Sequence, residues 1–212
     1  MHIDYGTPVQ LELPRIPFPM KEIYKRLQMP QDAVKAHEGV SQFLDEALTL
    51  AGPLIQPRGV YVILEKTSDS ENMVTFRQSA FQIQSRQVAR LLRTSPVTVI
   101  FMTTIGQSLE DKAHELSQQG DVTLGFMLDA IASETTDAVA DYLHREYIRQ
   151  IAVQAGYTVT PRFSAGYGDW PITVQGDILE VCEGHRIGIS VTETSLMLPR
   201  KSVSAVFGWK KI

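Results

Sequence analysis

The 212-residue sequence predicts an α+β fold, a largely antiparallel sheet flanked by helices. Three observations lead there. Short β-branched runs come in neighbouring pairs; helical periodicities are collected between those pairs instead of alternating with single strands; and no GxGxxG follows a strand to open a dinucleotide-binding βαβ unit. A chain of this length can bury one good core unaided, so residues 1–212 are expected to form a single domain. The formal net charge is −4 with acidic and basic residues interleaved, which leaves no cationic footprint for a phosphate backbone, and nucleic acid is not an expected partner. Cys182 is the only cysteine, which excludes an internal disulfide and every CxxC motif and suits a reducing, cytoplasmic setting. Met1 to Tyr5 carry neither the basic nor the apolar region of an export signal, and no stretch reaches the ~18 uncharged apolar residues of a membrane span. The expectation is a chain neither exported nor embedded.

Taken in order, residues 1–30 are dense in proline (Pro8, Pro14, Pro17, Pro19, Pro30) and read as an extended surface arm. Within it, the alternation from Val9 to Leu13 fits an edge strand and Lys21 to Leu27 a short helix. From Gln31 to Leu50, Val34, Val40, Phe43, Leu44, Ala47 and Leu48 recur at helical spacing, with His37 and Glu38 as an isolated polar pair. Gly59 to Leu64 and Met73 to Phe76 read as antiparallel neighbours around a polar turn from Thr67 to Asn72. Gln84 to Arg93 reads as a helix with Arg86, Arg90 and Arg93 on one face, a stripe suited to solvent or to an acidic partner. Val97 to Met102 is continuously apolar, the mark of a central strand buried on both faces. Ser108 to Asp111 has the spacing of a capping box, with aspartate as its last residue.

The longest helical pattern runs from about Asp121 to Gln154, with a break allowed. Its apolar stripe is Leu124, Met127, Leu128, Ile131, Thr135, Ala138, Val139 and Tyr142; Glu134, Asp137, Asp141 and His144 lie beside it. At i, i+4 and i+7, Asp137, Asp141 and His144 are placed to project into one cleft, but no second ligand cluster completes a metal site. Ile172 to Val181 reads as a short helix, and Ile187 to Val191 and Ser202 to Phe207 as strands.

Between the long helix and these last elements lies the loop Pro161 to Pro171. Gly166 and Gly168 permit a close backbone approach, and a proline stands at each end. Arg162 offers a planar donor fork for a carboxylate, Asp169 can accept from an ammonium or a ribose hydroxyl, and Phe163, Tyr167 and Trp170 offer ring faces. An amino acid joined to a nucleoside matches that set. A plain turn with Arg162 in a surface ion pair matches the loop alone equally well.

Three segments in order resemble the activation domain of cobalamin-dependent methionine synthase: Arg162-x-x-x-Gly166-Tyr167, similar to that family's RxxxGY loop; Asp141 to His144; and Thr192 to Pro199 followed by Ser202 to Ser204. They span Asp121 to Gly208, and Ile105 to Glu134 also resembles the shorter, stand-alone members of the family. The resemblance implies the activation-domain fold and a cofactor, S-adenosylmethionine (AdoMet), used to remethylate oxidised cobalamin carried by a partner corrinoid protein, with a reductant protein as a further partner. It implies that Arg162 grips the AdoMet carboxylate, that Ala165, Gly166 and Tyr167 line the adenosine and the corrin approach, and that Asp137 pairs with the sulfonium or the amine. It implies no catalytic nucleophile or base, because the reduced corrinoid is itself the nucleophile.

The sequence departs from the family in two places. Gly166 and Tyr167 are followed by Gly168, Asp169, Trp170 and Pro171 where the family has Pro-x-Cys-Pro, and the N-terminal acidic contact to the AdoMet amine has only Asp4 as a candidate. Glu183 to Gly188 echoes the histidine motif of B12-binding Rossmann domains, without the aspartate or the Rossmann pattern. Two alternatives stand beside the main reading: a docking module for a corrinoid protein that no longer binds AdoMet, and a methyltransferase acting on a non-corrinoid substrate.

Overall fold

A computed structural model describes residues 3–29 and 38–212. The expected helix start at Gln31, together with Val34 and His37, lies outside the described residues. The chain builds strands β1 (Val9–Glu12), β2 (Arg58–Asp69), β3 (Met73–Phe76), β4 (Gln82–Gln84), β5 (Val97–Thr104), β6 (Tyr157–Val159) and β9 (Ser202–Lys211), and a separate two-stranded hairpin, β7 (Ser190–Val191) with β8 (Met197–Leu198). The helices are α1 (Met20–Arg26), α2 (Glu38–Leu54), α3 (Arg86–Leu92), α4 (Ser108–Gln118), α5 (Val122–Asp141), α6 (Arg149–Gln154) and α7 (Gln175–Cys182).

The main sheet has the order β4-β3-β2-β5-β9-β6, every pair antiparallel, as the sequence predicts. β1 joins β2 at Arg58 to Tyr61 while β3 joins it at Lys66 to Asp69, so two short strands share one edge of a long one. β5 is buried at all eight positions between β2 and β9. Its side chains alternate between two cores: Val97, Val99 and Phe101 meet α2, α4 and α5 on one face, whereas Ile100 and Met102 meet α3 and α7 on the other.

Several predicted elements differ in detail. α4 begins after Gln107, whose side chain makes no cap hydrogen bond, so the capping box expected from Ser108 does not form. Residues Ile187 and Gly188 belong to a 3-10 turn, Gly184–Ile187, closed by Gly188 at φ 83°, and only Ser190–Val191 remain as strand. The predicted polar turn at Thr67 is narrower, because β2 runs on to Asp69. Gln84 is strand, and α3 starts at Arg86 under a cap from Ser85, whose Oγ accepts from Val88 N. The break in the long helix is a π-helical segment, Tyr142–Ile148, between α5 and α6. Its i→i+5 bonding turns the chain less per residue than an α-helix does, so side chains beyond Asp141 leave the face that α-helical spacing assigns them.

Candidate functional site

The π segment settles the fate of the predicted Asp137–Asp141–His144 trio. Asp137 and Asp141 face an open cleft, while His144 turns into the core. There its Nε2–H donates to the Thr160 carbonyl at 2.8 Å and its ring lies 4.4 Å from that of Phe207. Since a carbonyl only accepts, Nε2 carries the proton, and the buried Nδ1 has no partner. Burial holds the pKa below the ordinary histidine value, outweighing the carbonyl bond that favours the charged form. His144 is a neutral core residue. No group of three or more His, Cys, Asp or Glu able to hold a metal occurs among the described residues.

The cleft has a volume of about 660 Å³, within the range of small-molecule sites. One wall is the long helix with Asp137, Asp141 and Arg145; another is the loop with Arg162, Phe163, Ser164, Ala165 and Tyr167; β9 forms the floor through Ser202 to Ser204. Arg162 extends across the gap. Its Nε donates to Asp141 Oδ1 at 3.1 Å and its Nη2 to Asp137 Oδ1 at 3.0 Å, with Arg145 3.8 Å from the same Asp141 oxygen. Two carboxylates and two guanidiniums thus balance across the cleft, a pattern that can exchange partners with a zwitterionic amino-acid group.

Phe163 and Val206 exchange two backbone hydrogen bonds, at 2.8 and 2.9 Å, before the loop turns away from the sheet. Val206 therefore points both backbone groups away from β5, and by the two-residue period of an antiparallel strand Ser204 does the same. Among the described residues no strand pairs with Ser204 on that side, so its N–H and C=O are directed to the cleft side of β9, although the residue as a whole is only 2% exposed. This donor–acceptor pair has no signature in residue type; it follows from register alone. Behind it, Ser204 Oγ donates to Gln175 Oε1 at 2.7 Å, which fixes the buried side chain of Gln175 at the cleft wall.

The remaining predicted site residues divide. Ala165 and Tyr167 line the cleft, Tyr167 with 69% of its surface exposed. Gly166, between them, takes φ 89° and donates its N–H to the Trp170 carbonyl at 2.8 Å; a Cβ there would press on Ile172 Cδ1 at 3.1 Å. Asp169 is not in the cleft. It accepts from Ser85 Oγ, from Arg86 N at 2.7 Å and from Gln87 N at 3.3 Å, fastening the loop to the start of α3. These bonds, that from Ser85 foremost, hold its carboxyl below the usual range. Trp170 offers no ring face to a ligand: it is 1% exposed and packs beside Phe163 in the core, where it anchors the loop. Asp4 accepts from Thr7 Oγ1, the nearby Gly6 N–H donates to the Ile63 carbonyl, and Asp4 is not among the residues that line the cleft. His185, in the Glu183 to Gly188 stretch, is an exposed residue of the 3-10 turn. No described helix is long and apolar enough to cross a membrane.

An antiparallel sheet between two helical layers, with a charged cleft where a glycine loop leaves the central strands, defines a domain built to hold a small polar molecule at its surface. The model of one family, described as vitamin B12 dependent methionine synthase, activation domain, matches residues 94–211, more than half the chain; the protein belongs to that family. The matched span includes β5, the long helix, the loop and β9, and so every cleft wall. Among solved structures the chain is similar to one described as the crystal structure of the MetH reactivation domain bound to AdoHcy, with a TM-score of 0.70 and 15% identity, covering 98% of this chain and 83% of that one. At that identity the likeness establishes the fold. No curated protein matches.

Proposed function

We propose that the chain is an AdoMet-binding reactivation module that supports the reductive methylation of cob(II)alamin on a partner corrinoid protein such as cobalamin-dependent methionine synthase. The observation that carries this is the Arg162 fork, held between Asp137 and Asp141 on a cleft wall of the matching family. The residues suit the molecule. Arg162 and Arg145 can take its carboxylate, the free oxygens of Asp137 and Asp141 its ammonium or sulfonium, and the open N–H and C=O of Ser204 complement the ring nitrogen and amino group of adenine. Ala165 would give a smooth wall for the nucleoside, with Gly166 setting the turn behind it, and exposed Tyr167 would meet an approaching corrinoid.

When bound, AdoMet supplies an electrophilic methyl and the partner's reduced cobalt the electron pair, so the chain itself needs no general base. Its residues would orient the sulfonium and keep water from the mouth of the cleft. A reductant protein would be a second partner, and the cytoplasm the setting.

Calorimetric titration of AdoMet into the wild type and Arg162→Ala, each with folding checked, tests the reading: saturable binding to the first and strong weakening in the second are expected. Equal affinity in both would sink it. A second reading, a docking module without AdoMet, is favoured by one observation: Arg162 already has carboxylate partners within the chain. Capture of a corrinoid protein by a wild type with no AdoMet affinity would select that reading.

A further inference from the structure

β4 closes one end of the main sheet, with β9 and its cleft toward the other. Its register fixes which backbone groups are unused. The Ser85 N–H donates to the Asn72 carbonyl at 2.8 Å, continuing the β3–β4 ladder one step past the Gln84–Met73 pair. By the alternation of an antiparallel pair, Ile83 then exchanges bonds with Val74, while Gln82 and Gln84 turn their N–H and C=O away from β3. Both glutamines are exposed, and among the described residues no backbone group or strand pairs with these four groups. Sheet edges are ordinarily guarded by charge, proline or a bulge. Ser79 to Gln84 contains no charged residue and no proline.

The face beneath this edge suits one kind of side chain. Phe81 and Ile83 point into the core that α7 covers, and between Phe81 and α7 opens a cavity of about 580 Å³. Ala80, Phe81 and Val181 give it apolar surface; Asp177 and Glu180, one turn apart on α7, give it charge. Neither carboxylate is in an ion pair among the described residues, and no lysine or arginine lines the cavity. A cationic side chain with a long apolar stem complements that lining: the stem covers the apolar wall and the head meets the carboxylates.

We infer that the β4 edge receives an extended segment of a partner protein, added as a further antiparallel strand and carrying an arginine or lysine opposite Ile83. Residues directly opposite in neighbouring strands share a face, so that side chain lies on the α7 side and extends along the Asp177–Glu180 cavity. The two residues flanking it exchange backbone hydrogen bonds with Gln82 and Gln84. β4 is three residues long, so backbone pairing alone is weak and the two carboxylates supply the selection. The inference stands apart from AdoMet binding, because this cavity shares no lining residue with the cleft.

The test uses the whole chain and a synthetic peptide, acetyl-Thr-Val-Thr-Arg-Thr-Val-Thr-amide, with nuclear magnetic resonance of the backbone amides as the readout. Expected are saturable shifts of the Gln82 and Gln84 amides, slowed hydrogen exchange of both at saturation, and affinity lowered roughly five- to tenfold when glutamine replaces the peptide's arginine, the size of one partly solvated ion pair. In the double variant Asp177→Asn with Glu180→Gln, two exposed positions whose exchange leaves the core untouched, the arginine and glutamine peptides should bind alike. N-methylation of the two threonines beside the arginine, which removes their donors without altering the protein, should abolish binding. No saturable shift with the arginine peptide overturns the inference, as does equal affinity for both peptides in the wild type or a preference for arginine that survives in the double variant. So does binding that survives N-methylation while the Gln82 and Gln84 amides exchange freely, which would make the cavity a site for a lone cation.

Discussion

Lowering the pH should weaken the fold through His144. Its ring is 3% exposed, Nε2–H is committed to the Thr160 carbonyl, and Nδ1 has no acceptor for a second proton. Arg145 and Arg162 oppose its protonation and Asp141 favours it, but burial is the largest influence and depresses the folded pKa below the ordinary histidine value of about 6.5. The unfolded chain therefore takes up this proton more readily. The stability contribution is fully present above about pH 6.5 and is lost as pH falls through the unfolded value towards the depressed folded one. The ceiling is one proton, about 1.4 kcal/mol per pH unit, so between about pH 7.5 and 5.5 His144 alone can remove at most about 1.4 kcal/mol. Urea unfolding of the wild type and His144→Gln, which can keep the N–H donor without titrating, isolates this term from the other histidines. Parallel stability–pH curves for the two proteins would refute the argument, because a histidine exchanged without effect on proton linkage cannot be one held neutral by burial.

The other perturbations address the cleft and the loop. Asp137→Asn should weaken AdoMet binding by about three- to tenfold, a modest loss because the pair with Arg162 is partly solvated, and calorimetry reads it directly. Unchanged affinity would remove Asp137 from the site. Trp170→Ala should cost about 3–5 kcal/mol in chemical denaturation by emptying a fully buried indole site, whereas Trp170→Phe should cost much less; equal losses would contradict its role as a packing anchor. Gly168→Ala should destabilise by about 1–2 kcal/mol, since the residue sits at φ 56°. Its Cβ would also land 2.0 Å from Gln87 Oε1, so adding Gln87→Ala should recover part of the loss, and failure to recover any would assign the cost wholly to the backbone.

Much of the fold was legible because burial leaves a pattern in residue type. The unbroken apolar run from Val97 to Met102 announced β5, and the alternation from Val9 announced β1. What stayed hidden has no such pattern. β4, β6 and β8 are three residues or fewer, held by ladders with longer neighbours and not by any periodicity of their own. The π segment could not be read because it keeps the composition of a helix and alters only its hydrogen-bond spacing, which is why His144 was placed with Asp141 and instead faces Phe207. Of the candidates taken from chemistry and resemblance, Arg162, Ala165, Tyr167 and Asp137 lie around one cleft, while Gly166 shapes the loop without lining it. Asp169 and Trp170 have equally suggestive side chains, yet tertiary contacts use them to cap α3 and fill the core. The Ser204 edge left no sign in the sequence because it consists of backbone groups common to every residue.

That open edge has a consequence for how the molecule behaves in concentrated solution. A strand with unpaired N–H and C=O groups is a template on which another chain can add itself, and β9 is otherwise one of the longest strands in the sheet. Here the template is short: Phe163 pairs with Val206 on one side of the opening, and the turn at Pro199 and Lys201 ends the strand on the other. Recessed between the long helix and the Tyr167 loop, the edge gives a growing β-aggregate no flat row to extend. Burial within a concave wall lets the chain leave a short stretch of backbone edge unpaired by another strand without offering a seed for its own aggregation.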